Sequence, residues 1–329
     1  MRGEFDLIRH YLAPLAKAAP GALDLKDDAA LLEPPKGCEL VVTADALVAG
    51  VHFLADDPPD LVARKLLRVN LSDLAAMGAR PLGYLITAAW PDDTEEAWVA
   101  RFAEGLAADQ EAYGIALLGG DTTSTPGPLC LSLTALGAVP AGRALKRSGA
   151  APGDLVFVSG TIGDSALGLA ALEGRLTGLS EGARDYLIGR YRLPRPRLAL
   201  GQALVEGGLA HGAIDVSDGL VADLGHVCAA SGVAGEIEAA RIPLSGTARA
   251  ALDGRAGEPE ALARLATGGD DYELAFTAPP ESVGTMAALG RDLGLPLTRI
   301  GRITAGEGVR LLASDGAEID AGAGGWTHF

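Results

Sequence analysis

The 329-residue sequence predicts a two-domain α/β (α+β) chain with mixed sheets. Three observations carry that expectation. Segments of helical and strand periodicity alternate along the whole length, and their connections are too irregular for a plain run of parallel βαβ units. A polar stretch from Ala144 to Asp154, ALKRSGAAPGD, separates two halves, which places the boundary near residue 140 and gives segments 1–140 and 141–329. Hydrophobic residues make up 48% of the chain, enough for two packed cores.

From Gly3 to Leu15 the spacing of Phe5, Ile8, Leu12 and Leu15 predicts one amphipathic helix. Leu23–Leu32 sets Asp27-Asp28 between short apolar segments, and Pro34-Pro35 closes it. Glu39–Thr43 reads as a buried strand running into Asp45, and a loop carrying Gly50, His52 and Phe53 leads to a helix over Arg64–Pro81. A strand over Leu82–Ala89 precedes a helix over Thr94–Tyr113, with Glu95 and Glu96 in its first turn and Gly114 past its end. Ile115–Leu118 is a short strand ending in Gly119-Gly120-Asp121, and Leu129–Val139 is another.

In the second half a strand at Leu155–Ser159 is followed by the turn Gly160–Ser165 and a helix over Ala166–Leu172. The turn would suit an anion at a helix N-terminus, or be only a strand-to-helix connection. RYRLPRPR at 190–197 cannot be a continuous helix, because each proline lacks an N–H and clashes with the preceding turn. Ala213–Leu220, AIDVSDGL, leads into a helix bearing Val221, Leu224 and Cys228, and a further helix lies near Ala261. Gly268-Gly269-Asp270-Asp271 precedes a strand at Tyr272–Thr277, and a helix, a strand around Ile303, a hairpin-like pair and the tail GGWTHF complete the chain.

The formal net charge of -16 argues against capture of nucleic acid or an anionic membrane, so neither is expected as a partner. Cys38, Cys130 and Cys228 lie far apart without a CxxC pair, which speaks against a disulfide framework or a zinc site. The charged start MRGEFDLIRHYLAP and the absence of a long apolar run make a cytoplasmic location the expectation. If the partner is a phosphate compound, divalent cations must stand between it and the acidic protein.

Acidic residues recur in six places along the chain, at Asp27-Asp28, Asp45, Asp73, Asp121, Asp215 with Asp218, and Asp270-Asp271. Leu66, Val69, Asn70, Asp73 and Met77 share a helix face, so Asp73 stands on or beside an apolar stripe. A carboxylate there pairs, protonates, caps a turn or binds a metal. Most of the other acids are expected at strand ends or in the turns that follow, where side chains can converge on one sheet edge. Short carboxylates on rigid turns suit Mg²⁺, although singly each also suits a turn or cap. Walker, protein-kinase and HExxH motifs are absent, so aspartate-held metal ions would do most of any phosphate binding.

Gly3-Glu4-Phe5, Asp27-Asp28, Thr43-Ala44-Asp45, Gly50–Phe53, the segment VNLSDLAAMG at 69–78, Gly119-Gly120-Asp121, Ser159–Ser165, DVSDGL at 215–220, GGDDYEL at 268–274 and the terminal WTHF together resemble the thiamine-monophosphate kinase family. The resemblance spans nearly the whole chain. It implies ATP-dependent, Mg²⁺-assisted in-line phosphorylation of thiamine monophosphate to thiamine diphosphate. The superfamily is that of aminoimidazole ribonucleotide synthetase and selenophosphate synthetase, and the implied assembly is a homodimer whose N-terminal sheets form a barrel-like interface. Residues 1–140 would bind ATP and Mg²⁺ and dimerise, and residues 141–329 would complete the nucleotide and substrate site.

Carried over position by position, Asp28, Thr43, Asp45, Asp73, Asp121, Asp215 and Asp218 match Mg²⁺ positions, with Asp73, Asp121 and Asp218 the most directly catalytic. Gly120, Asp121, Arg147 and Ser217 match ATP contacts, and His52, Asp270 and Trp326 match substrate contacts. Two departures from the family pattern stand out: Lys26 replaces a glycine before Asp27-Asp28, and Asp270 replaces a glutamate one methylene longer. The tail motif and the His52 loop favour thiamine monophosphate over another acceptor within the superfamily.

Overall fold

Four strands with helices packed against one side of them form the first unit of the chain. The computed structural model describes residues 4–322, 324 and 325. It divides into Met1–Leu74 with Ala79–Arg143, and Ala75–Gly78 with Ala144–Phe329.

The first unit holds α1 (Glu4–Leu7), β1 (Cys38–Val48), most of α2 (Pro59–Ala76), β2 (Arg80–Pro91), α3 (Glu96–Tyr113), β3 (Leu117–Thr125) and β4 (Cys130–Pro140). Its sheet runs β1-β4-β2-β3; β4 is antiparallel to both neighbours and β2 is parallel to β3, so the sheet is mixed. Period-two alternation buries Tyr84, Ile86, Ala88 and Trp90 of β2 and Leu131, Leu133 and Ala135 of β4 on the helix side. There Trp90 meets Trp98 and Phe102 of α3 edge-on. Leu66, Leu67, Leu71 and Leu74 of α2 are fully buried, each worth roughly 1.5–3 kcal/mol relative to exposure. On the other face Leu40, Val42 and Leu85 stay exposed.

The expected N-terminal helix is broken up. Beyond α1 the chain is π-helical over Ile8–Leu12 and 3₁₀ over Ala13–Ala16, with Pro14 at the start of the latter, where a continuing α-helix would need its missing N–H. Gly3 lies outside the described residues. Leu7 and Leu15 are buried in this segment, whereas Ile8 and Leu12 are only half-buried. β3 also departs from expectation: it runs on through Gly119–Thr123, because Leu85–Pro91 of β2 pairs with it in parallel as far as Thr125.

The second unit contains β5 (Leu155–Ser159), α4 (Asp164–Leu172), α5 (Glu181–Arg192), α6 (Leu198–Gly207), β6 (Gly212–Asp215), α7 (Leu220–Ser231), β7 (Ala234–Glu238), α8 (Gly246–Ala251), α9 (Pro259–Ala266), β8 (Leu274–Ala278), α10 (Val283–Asp292), β9 (Leu297–Thr304), β10 (Val309–Leu312) and β11 (Glu318–Ile319). The seven strands are ordered β11-β10-β7-β9-β5-β8-β6, with β7 and β10 parallel and every other pair antiparallel. Val156, Val158, Ile214, Ala275 and Ile300 of the sheet pack with Leu220, Leu224, Val227 and Leu265 of the helices. The gap between α5 and α6 contains both prolines of RYRLPRPR. Just past α2, Gly78 turns the chain at φ 70°, and a Cβ there would stand 2.2 Å from Val205 Cγ2. No helix among the described residues is long and apolar enough to cross a membrane.

Candidate active site

The first unit places its candidate residues on the two faces of one sheet. Thr43 and Asp45 share a face of β1, and the Thr43 hydroxyl donates to Asp73 Oδ2 on α2 at 2.5 Å. Asp73 is half-buried beside fully buried Asn70, so the face predicted for α2 is real, with the carboxylate at its margin. Asp45, Leu133, Ile86 and Gly120 fall in one row across β1, β4, β2 and β3. The row spans three inter-strand spacings, about 14 Å. Asp121 is one residue further along β3, paired with Thr87, and its exposed carboxylate takes the opposite face.

On that second face a cleft of about 600 Å³ is lined by Asp27, Asp28, Leu85, Thr87, Gly120, Asp121 and Thr134, among others. The Asp28 N–H donates to Asp27 Oδ1 at 3.0 Å, and the Thr122 N–H to Asp121 Oδ1 at 2.9 Å. Gly120 has a steric reason to be glycine, since a Cβ would lie 1.8 Å from Ile86 O. Lys26 sits at φ −109°, so the turn that precedes Asp27 requires no glycine; the left-handed residues are Leu23, Asp24 and Leu25 instead.

The expectation that the acids gather at strand ends therefore needs correcting here. Asp45 and Asp121 are interior strand positions, as is Thr43, while Asp73 lies on α2 as expected. Thr43 and Asp45 are half-buried on the helix-facing side of edge strand β1, where the Thr43 hydroxyl finds its partner in Asp73, and Asp121 lies on the opposite, open face.

His52 is half-buried in the tight connection after β1. Its Nδ1 accepts from the Val48 N–H at 3.0 Å, its own N–H donates to Val48 O at 3.0 Å, and its carbonyl accepts from Lys65 Nζ at 2.9 Å.

In the second unit two loops are stitched together by backbone hydrogen bonds. The N–H groups of Asp270 and Tyr272 donate to Ser217 O and Val216 O, both at 2.8 Å, and the Val216 N–H donates to Glu273 O at 2.8 Å. This brings Asp215, Ser217, Asp218 and Asp270 into one neighbourhood. Asp270 and Tyr272 have φ 69° and 50°, left-handed values that cost a non-glycine residue about 1–2 kcal/mol each. The loop holds them there because Asp271 and Glu273 are anchored inside. Asp271 is fully buried and accepts from the N–H groups of Gly163 at 2.7 Å and Ser165 at 3.3 Å. The N–H groups at the start of α4 are thus already taken by a carboxyl of the chain itself, so the Gly160–Ser165 turn is an internal dock for the 268–273 loop. Burial pushes the Asp271 carboxyl up to about 8 against the pull of those two N–H groups and of Arg190.

Glu273, also fully buried, accepts from Ser159 Oγ at 2.6 Å, Arg190 Nη2 at 3.0 Å and Arg197 Nε at 2.6 Å. The turn at Ser217–Gly219 is closed from the helix side by Asp223, whose Oδ2 accepts the N–H groups of Ser217, Asp218 and Gly219 at 3.0–3.1 Å. Burial, helped by the neighbouring Asp218, raises the Asp223 carboxyl to about 7. Arg147 is exposed, and its carbonyl accepts from Ser231 Oγ at 3.3 Å. Beside it the Ala213 N–H donates to Lys146 O at 2.9 Å, which lays the Arg147 segment along β6. Trp326 lies outside the described residues.

Sequence reasoning assigned no role to Arg190, Arg197, Asp223 or Glu273. The cationic run at 190–197 in an acidic chain, and an acid four residues after Gly219, were the available signals. The pairing of Lys65 with a loop carbonyl has no sequence signature.

The donor set suits Mg²⁺ chemically, being carboxylates with one hydroxyl. Among the described residues no group of three or more His, Cys, Asp or Glu side chains forms a metal cage. Mg²⁺ commonly takes one or two carboxylates and completes its octahedron with water and phosphate oxygens, so dispersed aspartates fit an ion bound together with a phosphate compound.

Residues 26–139 match the family AIR synthase related protein, N-terminal domain, and residues 151–314 match AIR synthase related protein, C-terminal domain. These define the class of two-domain protein. The thiamine-monophosphate kinase of Caulobacter vibrioides is 45% identical over 325 residues, covering 99% of this chain and 90% of that one. The crystal structure of thiamine-monophosphate kinase from Stenotrophomonas maltophilia K279a superposes with TM-score 0.82 at 42% identity, over 93% of this chain and 97% of that one. A further structure, AaThiL complexed with AMPPCP and TMP, aligns with TM-score 0.78 at 34% identity over 100% and 99% of the two chains. The chain belongs to the thiamine-monophosphate kinase family.

Proposed function

We propose that the protein transfers the γ-phosphoryl group of ATP to thiamine monophosphate, giving thiamine diphosphate and ADP, as a cytoplasmic enzyme. The observation that supports this most is family membership over the whole chain, which includes similarity to a structure complexed with AMPPCP and TMP.

A phosphate oxygen of thiamine monophosphate attacks the γ-phosphorus in line as the bond to the β-phosphate oxygen breaks, with no phospho-enzyme. The attacking phosphate is ionised at neutral pH, so the chain needs no strong base, and catalysis rests on positioning and charge neutralisation. Asp28, Thr43, Asp45, Asp73, Asp121, Asp215 and Asp218 are the groups that would hold Mg²⁺. Bound Mg²⁺ supplies charge neutralisation for the phosphates.

Residues 1–140 would contribute Gly120 and Asp121 to ATP, and residues 141–329 Arg147 and Ser217. Gly120 is held to glycine by its close approach to Ile86 O, and the exposed guanidinium of Arg147 would offset phosphate charge. His52, Asp270 and Trp326 would contact thiamine monophosphate, the indole offering a flat face to its heteroaromatic cation. The exposed Leu40, Val42 and Leu85 on one sheet face suit a homodimer joined through that sheet.

The test is formation of ADP and thiamine diphosphate from ATP plus thiamine monophosphate, with Mg²⁺ and then with excess chelator. Equal amounts of both products that vanish with chelator are expected. ATP binding without thiamine diphosphate would remove the substrate assignment and direct the search to other phosphate acceptors.

A further inference from the structure

We propose that Val48 and Lys65 hold His52 as a donor-only imidazole, protonated on Nε2, which recognises an acceptor atom of the substrate, with Lys65 acting as a positioning residue. The proposal rests on the reading above that residue 52 touches thiamine monophosphate, and it states the polarity of that contact.

A peptide N–H can only donate. With Val48 N 3.0 Å from His52 Nδ1, that nitrogen must present its lone pair, which leaves the proton of the neutral ring on Nε2. The backbone is fixed just as tightly. The His52 N–H returns to Val48 O, Gly50 turns the chain at φ 79° with its N–H on Phe53 O at 2.8 Å, and the Phe53 ring is buried at 3% exposure. Lys65 reaches across thirteen residues from α2 to the His52 carbonyl at 2.9 Å, and is itself only 2% exposed. An ammonium so deeply placed is costly unless bonded, and one of its bonds is spent on the residue that carries the imidazole. Backbone, ring and carbonyl of residue 52 are thus each held by a partner within the first unit. The partners of such an imidazole are acceptors, such as a phosphate oxygen or an unprotonated ring nitrogen.

Two experiments test this. Nitrogen-15 spectra of the imidazoles, with His52 assigned by its loss in His52→Ala, read the tautomer directly. Nδ1 is expected unprotonated and Nε2 protonated, and a proton on Nδ1 would overturn the proposal. Steady-state kinetics then compare His52→Gln, whose amide places a donor near the position of Nε2, with the near-isosteric His52→Glu, which offers only an acceptor. The glutamate variant is expected to raise KM for thiamine monophosphate about tenfold or more above the glutamine variant, with KM for ATP unchanged. Equal KM values would overturn the proposal.

Lys65→Met is expected to raise KM for thiamine monophosphate about fivefold while leaving kcat within about twofold. An unchanged KM in the folded variant removes Lys65 from the proposal. If that variant does not fold, the tautomer and the glutamine–glutamate pair still decide. The spectra need no turnover, so an unsubstituted enzyme that makes no thiamine diphosphate would fail the proposed reaction, whereas an Nδ1-protonated ring in an active enzyme would fail only the present inference.

Discussion

The candidate residues Thr43, Asp45, Asp73 and Asp121 of the first unit ride on regular elements, strands β1 and β3 and helix α2, whereas Ser217, Asp218 and Asp270 of the second sit in two loops bonded backbone to backbone. Thr43 and Asp45 are placed by the pleat of β1, and Asp73 by the face of α2. The regular hydrogen bonding of strand and helix fixes these positions. Asp218 and Asp270, in contrast, keep their places because Asp223, Asp271 and Glu273 bind the surrounding N–H and guanidinium groups from inside. A substitution at a first-unit aspartate should therefore change chemistry and leave the fold, while one beneath the second-unit loops should change both.

The largest effect is expected at Asp73. Asp73→Asn keeps the shape and the bond to Thr43 but removes the negative charge, and kcat should fall about 10³-fold or more, equivalent to about 4 kcal/mol. The melting temperature should stay within a few degrees by roughly the surface-substitution range. Near-normal turnover would break the assignment of Asp73 to phosphate-bound Mg²⁺.

Next comes Glu273→Gln, which leaves Arg190 at 3% exposure and Arg197 without the carboxylate they share. Loss of one partner of a buried charge set costs about 3–5 kcal/mol, so urea unfolding should show a loss of that order. A loss under about 1 kcal/mol would show that the second-unit loops do not depend on internal charge.

The same contrast explains what could be read without the structure. Element types and the mixed, two-part architecture follow from periodicity, and Gly114 ends α3 in the left-handed conformation its position implied. The acidic motifs were visible as motifs. Their division between two faces of a sheet was not, because it depends on β3 continuing through Gly119–Thr123, and only pairing with β2 keeps that glycine-rich segment extended. Nor could Asp270 and Asp271 be told apart in a dipeptide. A left-handed backbone at 270 and 272 turns the two carboxylates apart and buries that of Asp271, and that conformation is imposed by partners more than 50 residues away in sequence, Val216 and Ser217 on one side and Gly163 on the other.

A third expectation concerns pH. Burial raises the Asp271 carboxyl from its ordinary value near 3.8 to about 8, so between those values the folded chain keeps a proton that the unfolded chain releases. Its contribution is complete below the unfolded value and is lost as pH rises toward 8, by up to about 1.4 kcal/mol per pH unit. Asp271→Asn removes the titration. Measured by denaturation from pH 5 to 8, the stability of the parent relative to the asparagine variant should fall steadily, and a flat difference would mean that Asp271 is ionised when folded.

The smallest effect distinguishes strain from function within one residue. At φ 69° Asp270 occupies a region that glycine enters freely, so Asp270→Gly should relieve up to about 1 kcal/mol of backbone strain, offset in part by the added freedom of the unfolded chain. If the strained conformation exists to present a substrate contact, the glycine variant should be as stable as the parent or slightly more so, and should show a raised KM for thiamine monophosphate with an unchanged KM for ATP. Stability and substrate affinity part company only under that reading. A variant equally stable with unaltered KM would make Asp270 a turn residue, and one that is less stable would mean that its carboxylate holds the loop, as those of Asp271 and Glu273 do.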